Sequence, residues 1–132
     1  MRLDWDGDLR FVGTDSRGVR VAIDAGGREG ADPADLLALS LASCLAYDVV
    51  TIMRKSRQDM SALLAEIEAE RDEGPPGAFR SIGITFVASG PALEPAVMER
   101  AIRLARKECP VLASLDPGIE IEVTYRLDEA SR

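Results

Sequence analysis

Residues 32 to 53 read Asp32-Pro33-Ala34-Asp35 followed by LLALSLASCLAYDVVTIM, the run from Leu36 to Met53, and this stretch decides the fold. Its opening has the grammar of a helix start. Asp32 suits the N-cap, Pro33 the first helical position and Asp35 the third position of a capping box. The pattern predicts a helix from there to about Arg57, apolar on nearly every side, and such a helix cannot lie on the surface of an ordinary small domain. A membrane span is the rival reading of so long an apolar run. Ser40, Ser43, Asp48 and Thr51 interrupt it, and soluble amphipathic elements flank it, so a central buried helix is expected and no membrane. A single sheet layer in a chain of 132 residues covers one side of such a helix, which leaves the other side to a second subunit.

Working outward, residues 2 to 5, 9 to 14 and 19 to 23 read as short strands. Asp6-Gly7 and Ser16-Arg17-Gly18 supply the turns of an antiparallel meander. The glycine-rich AGGREGA, Ala25 to Ala31, connects this meander to the helix. Downstream, Ala62 to Glu70 and Arg80 to Ala88 read as strands around the turn Gly74-Pro75-Pro76-Gly77, with clear alternation at Ile82, Ile84 and Phe86. A second helix, Pro95 to Cys109, places Met98, Ala101, Ile102, Ala105 and Cys109 on its inner side, and Glu99, Arg100, Arg103, Arg106 and Lys107 toward water. Pro110 stops it. Val111 to Leu115 forms a short helical turn, and Asp116-Pro117-Gly118 leads into a last strand, Ile119 to Leu127. Trp5, Phe11, Phe79 and Phe86 read as core or interface packing. The order of elements suggests one α+β domain over residues 1–132.

The charge balance is 16 basic against 23 acidic residues, net -7, which repels a phosphate backbone and argues against nucleic acid as a partner. The start, MRLDWDGDLRF, lacks the basic region and apolar run of a secretory signal, so a cytoplasmic location is expected. There is no histidine, which excludes imidazole-dependent triads, and two thiols speak against a structural zinc site. The cysteines, Cys44 and Cys109, are what remains for chemistry. In the cytosol a disulfide tends to be transient and catalytic.

A reactive cysteine needs a neighbour that favours the thiolate, such as a cation or a helix N-terminus. Cys44 falls in mid-helix, and Cys109 at a helix C-terminus, where the dipole disfavours a thiolate. Activation would come from a cation brought near by the fold, with Arg106, Arg2, Arg10 and Arg20 as candidates. On an ideal helix Asp48 and Ser40 share the face of Cys44, whereas Asp35 lies half a turn round. A carboxylate beside a thiol raises its pKa unless an arginine bridges them, so Asp48 reads as a partner for a cation, or for Tyr47 and backbone donors across an interface. Either cysteine alone would pass for an ordinary small core residue. Together, in a histidine-free chain, they suggest a redox pair.

Asp32-Pro33-Ala34-Asp35-Leu36-Leu37, Ala42-Ser43-Cys44, Ala46-Tyr47-Asp48-Val49-Val50 and Lys107-Glu108-Cys109-Pro110-Val111, in this order and spacing, resemble the OsmC/Ohr superfamily, in its OsmC-like, peroxiredoxin-like branch. The resemblance implies antiparallel sheets around a long central buried helix, an intertwined homodimer, and two active sites at the subunit interface. It also implies a thiol-dependent peroxidase of oxidative stress defence, reducing organic hydroperoxides without a cofactor. Cys44 would attack the peroxide and Cys109 would resolve the sulfenic acid as a disulfide, which a dithiol such as dihydrolipoamide would reduce. In the family a glutamate ten residues before the first cysteine holds an arginine against the thiolate. Here that position is Ala34, Asp35 is one residue displaced, and Gly7 and Asp8 stand at the turn where the arginine is expected, with Arg10 out of register. These departures motivate the alternative expectation, a non-catalytic ligand-binding or redox-sensing dimer of the same fold.

Overall fold

A computed structural model describes residues 1–129. In chain order the elements are β1 (Arg2–Trp5), β2 (Arg10–Thr14), β3 (Arg20–Asp24), α1 (Pro33–Lys55), β4 (Ala62–Arg71), β5 (Phe79–Ser89), α2 (Pro95–Glu108), α3 (Pro110–Ala113) and β6 (Glu120–Asp128). The mixed α+β class read from the sequence is the observed one, with each predicted strand and helix present. The chain forms two compact units, one of Met1–Leu39 and one beginning at Ser40.

In the first unit β1, β2 and β3 pair antiparallel in sequential order. Trp5 pairs with Phe11 and Phe11 with Ile23, while Gly13 lies between Leu3 and Val21. Period-two alternation therefore gathers Leu3, Trp5, Phe11, Val21 and Ile23 on one face. Trp5 is 71% exposed, and its indole N–H donates to the Asp8 carbonyl at 2.9 Å. It is not a core residue of this chain. Beyond β3 the chain folds back on the sheet, and Ala31 makes a parallel bridge to Ile23. Gly30 permits this approach, because a Cβ there would stand 2.7 Å from the Ala22 carbonyl carbon.

The Asp32 carboxylate accepts the Ala34 and Asp35 N–H groups at 2.9 and 3.2 Å, so it caps α1 as its sequence position predicts. The helix ends two residues before the predicted Arg57. Arg57 has φ of 58°, its N–H donates to the Arg54 carbonyl, and the Gln58 N–H donates to the Met53 carbonyl. This is a Schellman ending, in which a left-handed residue satisfies the last carbonyls. By length and composition alone α1 could cross a membrane, but one stripe of it packs into the core of a globular unit. Its own chain covers it along that stripe only. Leu41, Ala42, Leu45, Val49 and Met53 are buried, while Ser40, Ser43 and Tyr47 face outward.

The second sheet has the order β4-β5-β6. β4 and β5 form the expected antiparallel hairpin, but β6 runs parallel to β5, which corrects the expectation of purely antiparallel sheets. The reason is the connection. α2 and α3 carry the chain from the end of β5 back to the start of β6, and a helical crossover of this kind returns a strand in the same direction. The inner face of β5, with Ile82, Ile84 and Phe86, meets the buried stripe of α1 and the Met98–Ala101–Ile102–Ala105 face of α2 in one core cluster that also contains Cys109. At the α1–α2 end Gln58 donates to the Glu94 carboxylate at 2.9 Å and accepts the Glu94 N–H at 2.8 Å. A distant amide thus takes up an N–H at the α2 start, where Glu94 makes no side-chain cap of its own.

Candidate active site

Both cysteines lie in the second unit, and the fold brings them together. Cys109 closes α2 and is 1% exposed, as its place on the inner helical face predicts. Cys44 packs against the same core from α1 and is half-buried. Both are free thiols, packed at the same core cluster and close enough for Cys109 to act on the ionisation of Cys44. Burial pushes the Cys44 thiol above its ordinary range, and the neighbouring Cys109 thiol adds to this. The Val111 N–H works in the opposite direction, and the Asp48 carboxylate raises it a little further.

The sequence reading omitted one part of this arrangement. Cys109 ends α2 and is also the N-cap of α3. Its sulfur accepts the Leu112 N–H at 3.3 Å, and the neighbouring Val111 N–H serves Cys44. The polypeptide after Cys109 therefore presents one backbone donor to each sulfur. The signal was present in Cys109-Pro110, since a proline that stops one helix is also suited to the first position of the next. Hydrogen bonds of this kind favour a thiolate.

Three of the four candidate cations, Arg106, Arg2 and Arg10, are engaged in other contacts. Arg106 turns its guanidinium to the Ile121 carbonyl, with both terminal nitrogens at 3.3 Å. Arg2 pairs with Asp4 at 2.8 Å. Arg10 pairs with Asp8 and Glu29 at 3.3 and 3.4 Å and donates to the Asp6 carbonyl. Among the described residues, the groups acting on Cys44 are Cys109, Val111 and Asp48, and none is a cation. Asp48 lies on the Cys44 face as the helical geometry predicts. Its expected cationic partner is not among the described residues of this chain.

Chemically, a half-buried thiol beside a fully buried one can be oxidised at the accessible sulfur and then closed by the inner one. No cofactor is required for that sequence.

The family model described as OsmC-like protein matches residues 26–124. Protein YhfA of Escherichia coli K12 is 30% identical over 128 residues, which span 96% of either chain. A hypothetical protein of Aquifex aeolicus VF5, solved by crystallography, has a TM-score of 0.87 at 26% identity, over 98% of this chain and 96% of that one. The organic hydroperoxide resistance protein OhrB of Bacillus subtilis shares the fold at a TM-score of 0.61 and 19% identity, over 95% and 96% of the two chains.

Proposed function

This chain belongs to the OsmC-like protein family, and on that premise we propose that it is a thiol-dependent peroxidase that reduces organic hydroperoxides. Cys44 is the peroxidatic residue and Cys109 the resolving one. The observation that carries this reading is the meeting of the two free thiols, one half-buried and one fully buried, at one core cluster. The Cys44 sulfur attacks one peroxide oxygen, the O–O bond breaks, and the products are a Cys44 sulfenic acid and an alcohol. The Cys109 sulfur then displaces the sulfenic hydroxyl as water, leaving a disulfide that an external dithiol reduces. Backbone donors from Val111 and Leu112 stabilise negative charge on the two sulfurs during these steps.

The reading includes a single 1–132 domain that works as a cytoplasmic homodimer. What supports the dimer is the apolar surface that a single chain leaves open. Leu3 and Trp5 on the first sheet are 61% and 71% exposed, and Tyr47 on α1 is 71% exposed. Exposed apolar faces of this kind mark association surfaces.

A second reading, a ligand-binding or redox-sensing dimer without turnover, is favoured by one specific observation. Among the described residues the groups acting on Cys44 are Cys109, Val111 and Asp48, none of them a cation, and Ala34 stands where the resemblance leads one to expect a glutamate. Intact mass after one equivalent of cumene hydroperoxide, without added thiol, separates the two. The peroxidase loses two hydrogens per chain and regains them with a dithiol. Cys109→Ser stops at an added oxygen on Cys44, and Cys44→Ser stays unchanged. Full peroxide turnover by either serine variant would remove the two-cysteine mechanism.

A further inference from the structure

Cys109 and Ser114 bracket one turn of chain, and each fastens it at its own end. Cys109 leaves α2 with extended backbone, φ -76° and ψ 114°, and its sulfur accepts the Leu112 N–H at 3.3 Å. At the far end the Ser114 hydroxyl donates to the Pro110 carbonyl at 2.8 Å, and the Ser114 N–H is shared between the Pro110 and Val111 carbonyls at 3.2 and 3.1 Å. A peptide unit is planar and trans, so its C=O and N–H point in opposite directions. The Val111 carbonyl and the Leu112 N–H belong to one such unit, and the Pro110 carbonyl and the Val111 N–H to the unit before it. Ser114 therefore grips both units at their carbonyl ends. Their N–H ends are directed back toward the start of the turn, where the Leu112 N–H meets the Cys109 sulfur. The Val111 N–H acts on the Cys44 thiol in the sense that favours its thiolate.

A single helical turn has little stability of its own, because its nucleus fixes several residues for one hydrogen bond. α3 is four residues long, so it keeps its shape through the bonds at its ends and through Val111 and Leu112, which are half-buried against the core. We propose that Ser114 is a positioning residue for Cys109, locking the turn that aims the Leu112 N–H at the resolving sulfur. In the resolving step the Cys109 sulfur attacks the sulfur of the Cys44 sulfenic acid. An S–S bond forms, the Cys44 S–O bond breaks, and the hydroxyl leaves with the Cys109 proton as water. One sulfur is oxidised and the other reduced by one electron each, so no outside oxidant or reductant enters. Negative charge builds on the Cys109 sulfur as its proton departs, and an N–H already in place stabilises it without reorganisation. The same bond holds the sulfur in one direction, which favours a productive approach. Without the Ser114 hydroxyl the turn frays, and the donor faces the sulfur for only part of the time. The assignment rests on the peroxidase reading and concerns the second half of its cycle.

Ser114 is exposed, so its replacement leaves the core untouched. The test compares wild type, Ser114→Ala and Ser114→Thr in single-turnover oxidation by cumene hydroperoxide, quenched at intervals and followed by intact mass. Sulfenic acid is read as one added oxygen and disulfide as two lost hydrogens. Amide hydrogen exchange at Leu112 in the reduced proteins is followed in parallel. Ser114→Ala is expected to slow the conversion of sulfenic acid to disulfide by about 3- to 10-fold, the range that one neutral hydrogen bond supports. Attack on the peroxide is expected to slow less, so the sulfenic acid accumulates, and exchange at Leu112 is expected to quicken as the turn opens more often. Ser114→Thr, which keeps the hydroxyl, is expected to restore both. Resolution at the wild-type rate in Ser114→Ala, or unchanged exchange at Leu112, would overturn the assignment and leave the peroxidase reading intact. Equal slowing of both chemical steps would overturn it too, since a general loosening acts on both. A wild-type protein whose mass never changes with hydroperoxide would sink the peroxidase reading, and the resolving role of the turn with it.

Discussion

At the scale of single residues, Asp24 shows how a buried carboxylate can organise a loop. It ends β3 and is 5% exposed. Its carboxylate accepts the N–H groups of Gly26, Arg28 and Glu29 at 2.8, 3.4 and 3.1 Å. Burial opposes its charge, but the three backbone donors, helped by Arg10, outweigh that and hold its pKa below the usual aspartate value. A carboxylate whose folded pKa lies below its unfolded one adds stability that is complete above the unfolded pKa and is lost as pH falls through the folded one. The Asp24→Asn chain is therefore expected to be less stable than wild type at neutral pH. The difference is expected to narrow on acidification below the ordinary aspartate range. Urea denaturation at pH 7 and in acid checks this, and an unchanged gap at low pH would show that the loop depends on shape and not on charge.

At the scale of elements, the end of α1 stores a correctable strain. Arg57 holds a left-handed conformation that costs a residue with a Cβ about 1–2 kcal/mol and that glycine adopts freely. Arg57→Gly is expected to stabilise the protein by about 1 kcal/mol and raise Tm by a few degrees in a thermal melt. A lower Tm would mean that the arginine stem packs usefully there. This ending also shows where sequence reading stops. Asp32-Pro33 named the start of α1 correctly because capping is a local matter, whereas the arginine at its end carries no local stop signal and the predicted helix ran two residues long. Ile82, Ile84 and Phe86 revealed the buried face of β5 through alternation, yet alternation is blind to strand direction, so the parallel β5–β6 pairing was not legible. For the site, helical geometry put Asp48 beside Cys44 and turned Cys109 inward. The meeting of the two sulfurs and the withdrawal of Arg106 to the Ile121 carbonyl depend on how α1, α2 and β6 pack, and no local pattern encodes that.

At the scale of the whole molecule, the first sheet carries an apolar face on which Leu3, Trp5 and Val21 are exposed. Leu3, Trp5, Phe11, Val21 and Ile23 share one side of the first sheet, on a chain whose net charge of -7 otherwise keeps copies apart. In the proposed dimer that face is buried, so light scattering is expected to give twice the 14.2 kDa chain mass. Trp5→Glu is expected to shift the protein toward monomer, because an unpaired carboxylate is costly to bury. A monomeric wild type would remove the dimer from the functional reading.

Cys44 and Cys109 meet across a long loop of chain, since the whole β4–β5 hairpin is threaded between the helices that carry them. In a chain still emerging from the ribosome, or one partly unravelled, they are two unrelated thiols with ordinary reactivity. Their partnership exists only once that hairpin has formed and both helices have docked on it. Under the proposed function, maturation itself thus becomes the gate on redox competence, because the proposed reversible bond requires both helices to be in place.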